Sequence, residues 1–351
     1  MRVRLPGNIS EGPTVLRYTL RRIAGIPLLL LGIVTIAFFI SRSVSADPLA
    51  AIVGERNINN PTIVAAAEAK WGLDQSLLQQ FFLYIGNLFQ GDLGTSFRTK
   101  SPVLSDLVDR LPATLELGAM ALVFGVVIGV VLGVIAARNK DKPLDHLARF
   151  FSLLGSSLPV FWTGLVLLFV FYSQLGIAAG PGRLSSRVIP PPHVTGFYTV
   201  DALIAGNFPL YLDALSHLIL PALILGWGLM GTISRLVRAS MLDEMGSDYV
   251  RTARAKGLSR NQVVNRHVLH NAMTPVITIV GLAFGSVLMG AVLIETIFSW
   301  NGIGSYAVES SRTLDYPGIT GVCLLGGVIF LLANLVTDIV YGFVDPRVRL
   351  A

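Results

Sequence analysis

Six apolar runs constrain this chain more than any other feature: residues 23–40, 115–137, 150–175, 217–236, 276–298 and 319–341. Each approaches or exceeds the roughly 20 residues that a membrane-spanning helix needs. Lipid offers no water to backbone N–H and C=O groups, so each run must close its own hydrogen bonds as a helix. Composition agrees: 14% of residues are charged, against about 25% in soluble domains. The expected fold class is therefore an all-α polytopic membrane protein with six transmembrane helices. Pro159 and Pro221 fall inside runs and are expected to kink their helices. Gly281, Gly285 and Gly290 suit close helix packing in the fifth span.

The gaps between the runs set the orientation. Segments 1–22, 138–149, 235–273 and 342–351 hold 18 Lys and Arg, whereas 42–111, 176–214 and 299–317 hold nine. The basic side faces the cytoplasm, so both termini are expected there. The chain then divides into a cytoplasmic segment 1–22, transmembrane helix 1 at 23–40, and an external subdomain at 41–111. A core at 112–342 follows, with helices 2–6 and a cytoplasmic loop at 237–275, and a cytoplasmic tail at 343–351. Ser45-Ala46 resembles a cleavage site, but run 23–40 exceeds the usual signal-peptide core and reads as a retained anchor. The external subdomain carries amphipathic stretches at 61–71 and 77–89. The external loop 176–214, with Pro190-Pro191-Pro192, is expected to hold little regular structure.

Several chemistries are excluded or weakened. The net charge of +6 is spread over the gaps rather than along one face, which disfavours nucleic acid. Cys323 is the only cysteine, so no disulfide forms within the chain. No phosphate-binding G-x-x-x-x-G-K-[ST] loop, H-E-x-x-H or G-x-S-x-G occurs. His267 and His270 share a helix face, but the histidines form no metal-ligand pattern. Three acids lie in or at the ends of runs: Glu116, Glu295 and Asp338, the last with Asn334 one turn earlier. They suit either an ion path or helix capping and helix–helix hydrogen bonds.

The stretch 246–275 is polar and basic, and longer than a simple connection requires. Residues 248–256 read as a short helix, with Ser247 as N-cap and Asp248 at the positive end of its dipole. Gly257 suits the left-handed position that ends a helix. Ser259 and Gln262 fit a capping box that starts a second helix through Val263, Val264, His267 and Val268. Tyr249, Val250, Ala253 and Leu258 offer a small apolar surface, ringed by Arg251, Arg254 and Lys256. A loop held against lipid headgroups explains the charge, but not a glycine turn between two capping signals.

This stretch resembles the cytoplasmic EAA loop of ABC importer permeases. The name-giving Glu-Ala-Ala reads Arg251-Thr252-Ala253 here, a departure that fits the dipeptide/oligopeptide/nickel branch, whose D-Y-V-R-T-A-R-A-K-G is matched without a break from Asp248 to Gly257. Other motifs of that branch follow in order. They include Tyr18 with Arg21-Arg22, Ile26-Pro27, Asp47-Pro48, Gly72-Leu73-Asp74, Gly91-Asp92-Leu93-Gly94-Thr95-Ser96 and Arg110-Leu111-Pro112-Ala113-Thr114. Later come Glu295-Thr296-Ile297-Phe298-Ser299-Trp300, Gly302-Ile303-Gly304, Asp315-Tyr316-Pro317 and Asp345-Pro346-Arg347. Asn301 stands where the family usually has Pro.

The resemblance covers nearly the whole chain and is to the "B"-type permease subunit. It implies a type I ABC importer permease fold in a bacterial or archaeal inner membrane, with the first span packed outside five core spans. It implies three kinds of partner: a second, homologous permease subunit forming a heterodimer, two ABC ATPase subunits, and an external substrate-binding protein. ATP and Mg would be bound by the ATPase subunits, leaving this chain with no cofactor and no catalytic residue. The expected coupling residues are Asp248, Tyr249, Arg251, Thr252, Ala253, Arg254, Ala255, Lys256, Gly257 and Leu258. Binding-protein contacts are expected within 42–111, 176–214 and 299–317. Alternating access would carry peptides. Nickel chelates, glutathione or oligosaccharides are the alternatives within the family, and an ion-coupled secondary transporter or a membrane scaffold outside it.

Overall fold

The apolar runs fold as helices, and most of these helices outlast the runs that predict them. The computed structural model describes residues 15–43, 49–53 and 57–344. Four long helices are apolar enough to cross a membrane. They are α1 (Val15–Ser43), α5 (Val103–Arg138), α9 (Phe208–Met245) and α15 (Tyr316–Val344). Numbering includes the shorter helices between them: α2 (Leu49–Val53), α3 (Pro61–Trp71), α4 (Leu77–Phe89), α6 (Pro143–Ser157), α7 (Val160–Leu168) and α8 (Tyr198–Ile204). Beyond α9 come α10 (Asp248–Ala255), α11 (Arg260–Val263), α12 (Leu269–Ala272), α13 (Thr274–Ile297) and α14 (Ile303–Arg312). Two further spans are bent pairs. One joins α6 to α7 and its π-helical extension Phe169–Gln174, with a turn of 110°; the other runs from α11 into α13 and bends by 56°. Counting each pair once gives six spans. The segments 1–14 and 345–351, the Asp47-Pro48 and Asp345-Pro346-Arg347 motifs, and the Asp338 side chain lie outside the described residues.

The prolines act differently from one another. Pro221 sits inside an unbroken α9, after the apolar Leu218-Ile219-Leu220. Pro159 does more than kink its run: it ends one helix and opens the next. Leu158, just before it, is extended at φ −84° and ψ 137°, as a residue preceding proline prefers. The three residues ahead of it, Gly155-Ser156-Ser157, are poor helix formers and offer little resistance. The loop 176–214 also differs from expectation, since it contains α8 and the first turns of α9.

Helices α5 and α9 pack along most of their lengths. The approach is closest where a Cβ on Gly226 of α9 would overlap the Ala121 carbonyl oxygen, and it stays tight along Gly129 and Gly133 of α5. A Cβ on Gly129 would lie 2.9 Å from the Met230 carbonyl oxygen, and one on Gly133 would lie 2.6 Å from Val237 Cβ. The tight seam of small residues is thus shared by α5 and Gly226 of α9; in α13, Gly285 and Gly290 make looser contacts with Phe330 and Leu225. A buried core joins α5, α9 and α13 through Leu117, Ala121, Leu218, Leu225, Ala291 and Ile294. Helix α1 lies at the margin against α15, where Ile33 and Leu30 meet Gly327, and keeps Leu28, Ile36 and Ile40 outward.

Candidate functional site

At the end of the bundle formed by the last turns of α5 and α9, the chain leaves the helices and returns through α10. Ser247 breaks α9 with extended backbone angles, φ −72° and ψ 156°. It does not cap α10 with its side chain, as its position suggests. Its hydroxyl instead donates backward to the Glu244 carbonyl, at 2.6 Å. Helix α10 then packs Val250 and Ala253 into a second core with Ala137, Val237, Met241, Val263, Val264 and Val268. These two residues are therefore the anchor of the helix, and not part of its free surface. The Tyr249 hydroxyl donates to Glu244 Oε2 at 2.7 Å. Burial pushes the Tyr249 phenol above its ordinary value, and the neighbouring Glu244 carboxylate adds to the shift.

The end of α10 follows from its glycine. Gly257 has φ +84°. Its N–H donates to the Arg254 carbonyl at 2.9 Å, and the Leu258 N–H reaches the Ala253 carbonyl at 3.3 Å. This pair of bonds is the Schellman arrangement, which ties off the last carbonyls of a helix. Nothing lies within 4 Å of the place a Gly257 Cβ would take, so the demand is on backbone angle and not on space. Two residues on, the capping box forms: the Ser259 N–H donates to Gln262 Oε1 (3.0 Å) and the Gln262 N–H to Ser259 Oγ (3.4 Å). The chain continues through α11, a π-helical turn at Val264–Val268 and α12 into α13.

Of the ten expected coupling residues, Tyr249 and Ala253 hold the helix to the bundle. Asp248, Arg251, Thr252, Arg254, Ala255, Lys256, Gly257 and Leu258 face outward. Asp248 and Arg251 meet at 3.8 Å with side chains 97% and 85% exposed, an ion pair of little consequence for stability. The result is an exposed, mainly basic ridge on a fixed apolar base. Close by, an internal clamp escaped the sequence reading. Arg238 of α9 donates from Nε and Nη2 to the two carboxylate oxygens of Asp145 in α6, each at 2.8 Å. Asp145 is fully buried. The only sign was an acid in a basic segment, and charge counting treated Arg238 simply as an orientation signal.

The acids at the opposite end are bound within the fold. Glu116 accepts from Arg183 Nη2 (2.7 Å), from the Thr199 N–H (2.9 Å) and from the Thr199 hydroxyl (2.6 Å). Glu295 accepts from the Thr114 hydroxyl (2.6 Å) and the Ser305 N–H (3.0 Å). Asp315 accepts from the Ser96 hydroxyl (2.5 Å) and the Phe97 N–H (2.9 Å). Asp201, at the start of α8, is held below its ordinary value. Burial opposes that shift, and bonds from the Thr195 hydroxyl and the N–H groups of Thr195, Gly196 and Val194 outweigh it. These geometries are capping and helix–loop fastening, as one of the two sequence readings has it. None of these acids lines the cavity of about 520 Å³ between the α6–α7 elbow, α9 and α13, whose polar lining includes Thr163, Thr232 and Ser286.

Comparison with known proteins agrees with this architecture. A family profile described as "Binding-protein-dependent transport system inner membrane component" matches residues 129–350. Its N-terminal counterpart matches residues 15–118. The "Probable D,D-dipeptide transport system permease protein DdpB" of Escherichia coli K12 is 44% identical over 328 residues, 93% of this chain and 96% of the relative. The "Dipeptide transport system permease protein DppB" of the same organism is 40% identical over 337 residues, 95% of this chain and 99% of the relative. A "Di/tripeptide transport system permease protein DppB" of Pseudomonas aeruginosa is 41% identical over 335 residues, again 95% and 99%. Among solved structures, an inward-facing form of the MetNI methionine ABC transporter shares the fold. Its TM-score is 0.50 at 14% identity, covering 69% of this chain and 97% of that one.

Proposed function

The chain belongs to the family of binding-protein-dependent transport system inner membrane components, and from that premise we propose that it is the permease subunit of an ATP-driven importer of short peptides. The observation that carries the cargo class is likeness over almost the full length to three permeases named for dipeptides, D,D-dipeptides and di- or tripeptides. The chain supplies half of a translocation path and pairs with a second, homologous permease. Two ATPase subunits bind ATP and Mg and dock on α10. An external binding protein delivers the peptide to the face carrying α8, α14 and the loops of 42–111, 176–214 and 299–317. The α10 end faces the cytoplasm, because the basic segments lie there.

Alternating access follows from one requirement: ATP shifts the spans only if the contact differs between the two states of the ATPase pair. Helix α10 suits that contact, since its apolar base is shared with the ends of α5, α9 and the α11–α13 rod. A push on α10 therefore moves helices and does not merely bend a loop. The cavity beside the α6–α7 elbow would form this subunit's share of the path.

Uptake tests the reading. Cells with and without the gene are given radiolabelled Ala-Ala, D-Ala-D-Ala, glutathione and a nickel chelate. Gene-dependent, ATP-dependent uptake of one of the dipeptides is expected. Uptake of glutathione or nickel alone would move the cargo elsewhere in the family, and gene-dependent uptake of ions without ATP would reject an ABC importer.

A further inference from the structure

Helix α4 has two apolar faces, and the described residues of the fold use one of them. Phe81 packs on Phe38 and Phe39 of α1 with ring centroids 5.3 and 5.4 Å apart, and Tyr84 lies 5.8 Å from Phe38. Gln80 accepts from Arg42 Nε at 3.0 Å. This face fixes α4 beside the last turns of α1. The second face is a stripe at i, i+4, i+7 and i+11: Leu78, Phe82, Ile85 and Phe89. Leu78, Phe82 and Phe89 are 62%, 69% and 86% exposed. The third face holds Gln79, Gly86, Asn87 and Gln90, with Leu83, 54% exposed, among them. The helix carries no charged residue.

We propose that α4 lies in the plane of the bilayer surface, with Leu78, Phe82, Ile85 and Phe89 inserted among lipid acyl chains. The inference rests on α1 crossing the membrane. The partners of α4 on α1 are residues 38–42, within about one and a half turns of the end of that helix at Ser43, which places α4 at the lipid boundary. Ile36 and Ile40 of α1 are 61% and 64% exposed at the same level, so the stripe continues the lipid-facing side of the span. A helix of this kind buries its apolar face about 5–10 Å into the boundary between headgroups and chains. A soluble partner fits less well, because the stripe offers large apolar groups with no charge and no hydrogen-bonding group among them. The capping box at Ser76 and Gln79 and the Arg42 bond then set the depth and direction of the helix. That makes α4 a brace that holds the end of α1 at a fixed height, leaving the rest of the external region to meet the binding protein.

The test uses the full chain with the subunits that accompany it, in nanodiscs, with Cys323→Ser as background. Single cysteines at Phe82→Cys, Phe89→Cys, Gln79→Cys and Ile36→Cys carry a small fluorophore. Lipids brominated near the headgroup should remove most of the emission at 82, 89 and 36, while aqueous iodide removes it at 79. Iodide quenching at 82 and 89 equal to that at 79 would overturn the proposal in favour of a water-facing docking surface. Quenching by neither agent would overturn it in favour of burial under another protein. Failure of lipid quenching at 36 as well would instead reject α1 as a span.

Discussion

The two ends of the bundle solve the same problem, turning a polar chain back into the membrane, by opposite means. At the end carrying α8 and α14, carboxylates are buried and face inward: Glu116, Glu295 and Asp315 each take two or three donors from loops and from neighbouring helices. At the α10 end one inward pair, Asp145 with Arg238, fastens α6 to α9, but the ridge keeps its charges outward, and the loop is fixed by valines, alanines and a methionine. An inward polar network specifies one arrangement of loops, since a broken member leaves a buried group without a partner. An apolar base under an outward polar ridge holds position while leaving the charges for another chain. The first end is rigid in itself; the second leaves an exposed ridge, which suits the docking proposed above.

The largest effect should come from breaking an inward pair. Glu116→Ala leaves the Arg183 guanidinium, also largely buried, without its counter-charge, a change that costs about 3–5 kcal/mol in comparable buried pairs. Thermal melting of the solubilised protein should show this as a large drop, and Glu116→Leu combined with Arg183→Met should recover part of it. A melting temperature unchanged by Glu116→Ala would mean that this end does not depend on its carboxylates. Gly257→Val comes next. It puts a β-branched residue at φ +84°, a strain of roughly 1–3 kcal/mol confined to the turn. The melting temperature should fall by only a few degrees while peptide-stimulated ATPase activity and uptake fall together; normal uptake would remove the turn from the coupling path. Ser259→Ala is milder. It removes half of the capping box, worth about 1 kcal/mol, and should speed amide exchange at 261–263 about fivefold, with Ser259→Thr restoring it.

The same contrast explains which features were legible in the sequence. Local chemistry was readable. The glycine turn, the capping box at Ser259 and Gln262, and the ends of α3 and α4 depend on residues within one or two turns of each other. Long-range pairing was not. That Glu116 meets Thr199 and Arg183, or that Asp145 meets Arg238, is set by how the spans pack. The inward turn of Val250 and Ala253 was missed for the same reason, because the surface they cover is built from α5, α9 and α11. Ser247 failed in a subtler way: a serine ahead of a helix has two backbone neighbourhoods to bond, and here it bonded the helix behind it. Hydropathy gave the third run its length but not its break, which needed the weak Gly155-Ser156-Ser157 stretch ahead of Pro159 to be weighed with the proline itself.

The smallest effect on the fold should come from the ridge, and there the two ends separate most clearly. Among the described residues, the Arg251 and Arg254 side chains make no contact that ties α10 to the bundle; the helix stays because Val250, Ala253 and Tyr249 hold it. The double change Arg251→Ala, Arg254→Ala should therefore leave the melting temperature of this subunit where it was. Its consequence should appear between subunits, as reduced recovery of the ATPase subunits with the permease. If these charges act through space on an acidic partner surface, the loss should be larger in low salt than in high salt, where screening already weakens the unaltered pair. If the loss is the same at all salt concentrations, α10 is gripped by shape and not by charge, and its apolar rim at Leu258 becomes the contact to alter next. If recovery is unchanged, the outward ridge is only a solvated face, and the contrast between the ends loses its functional half.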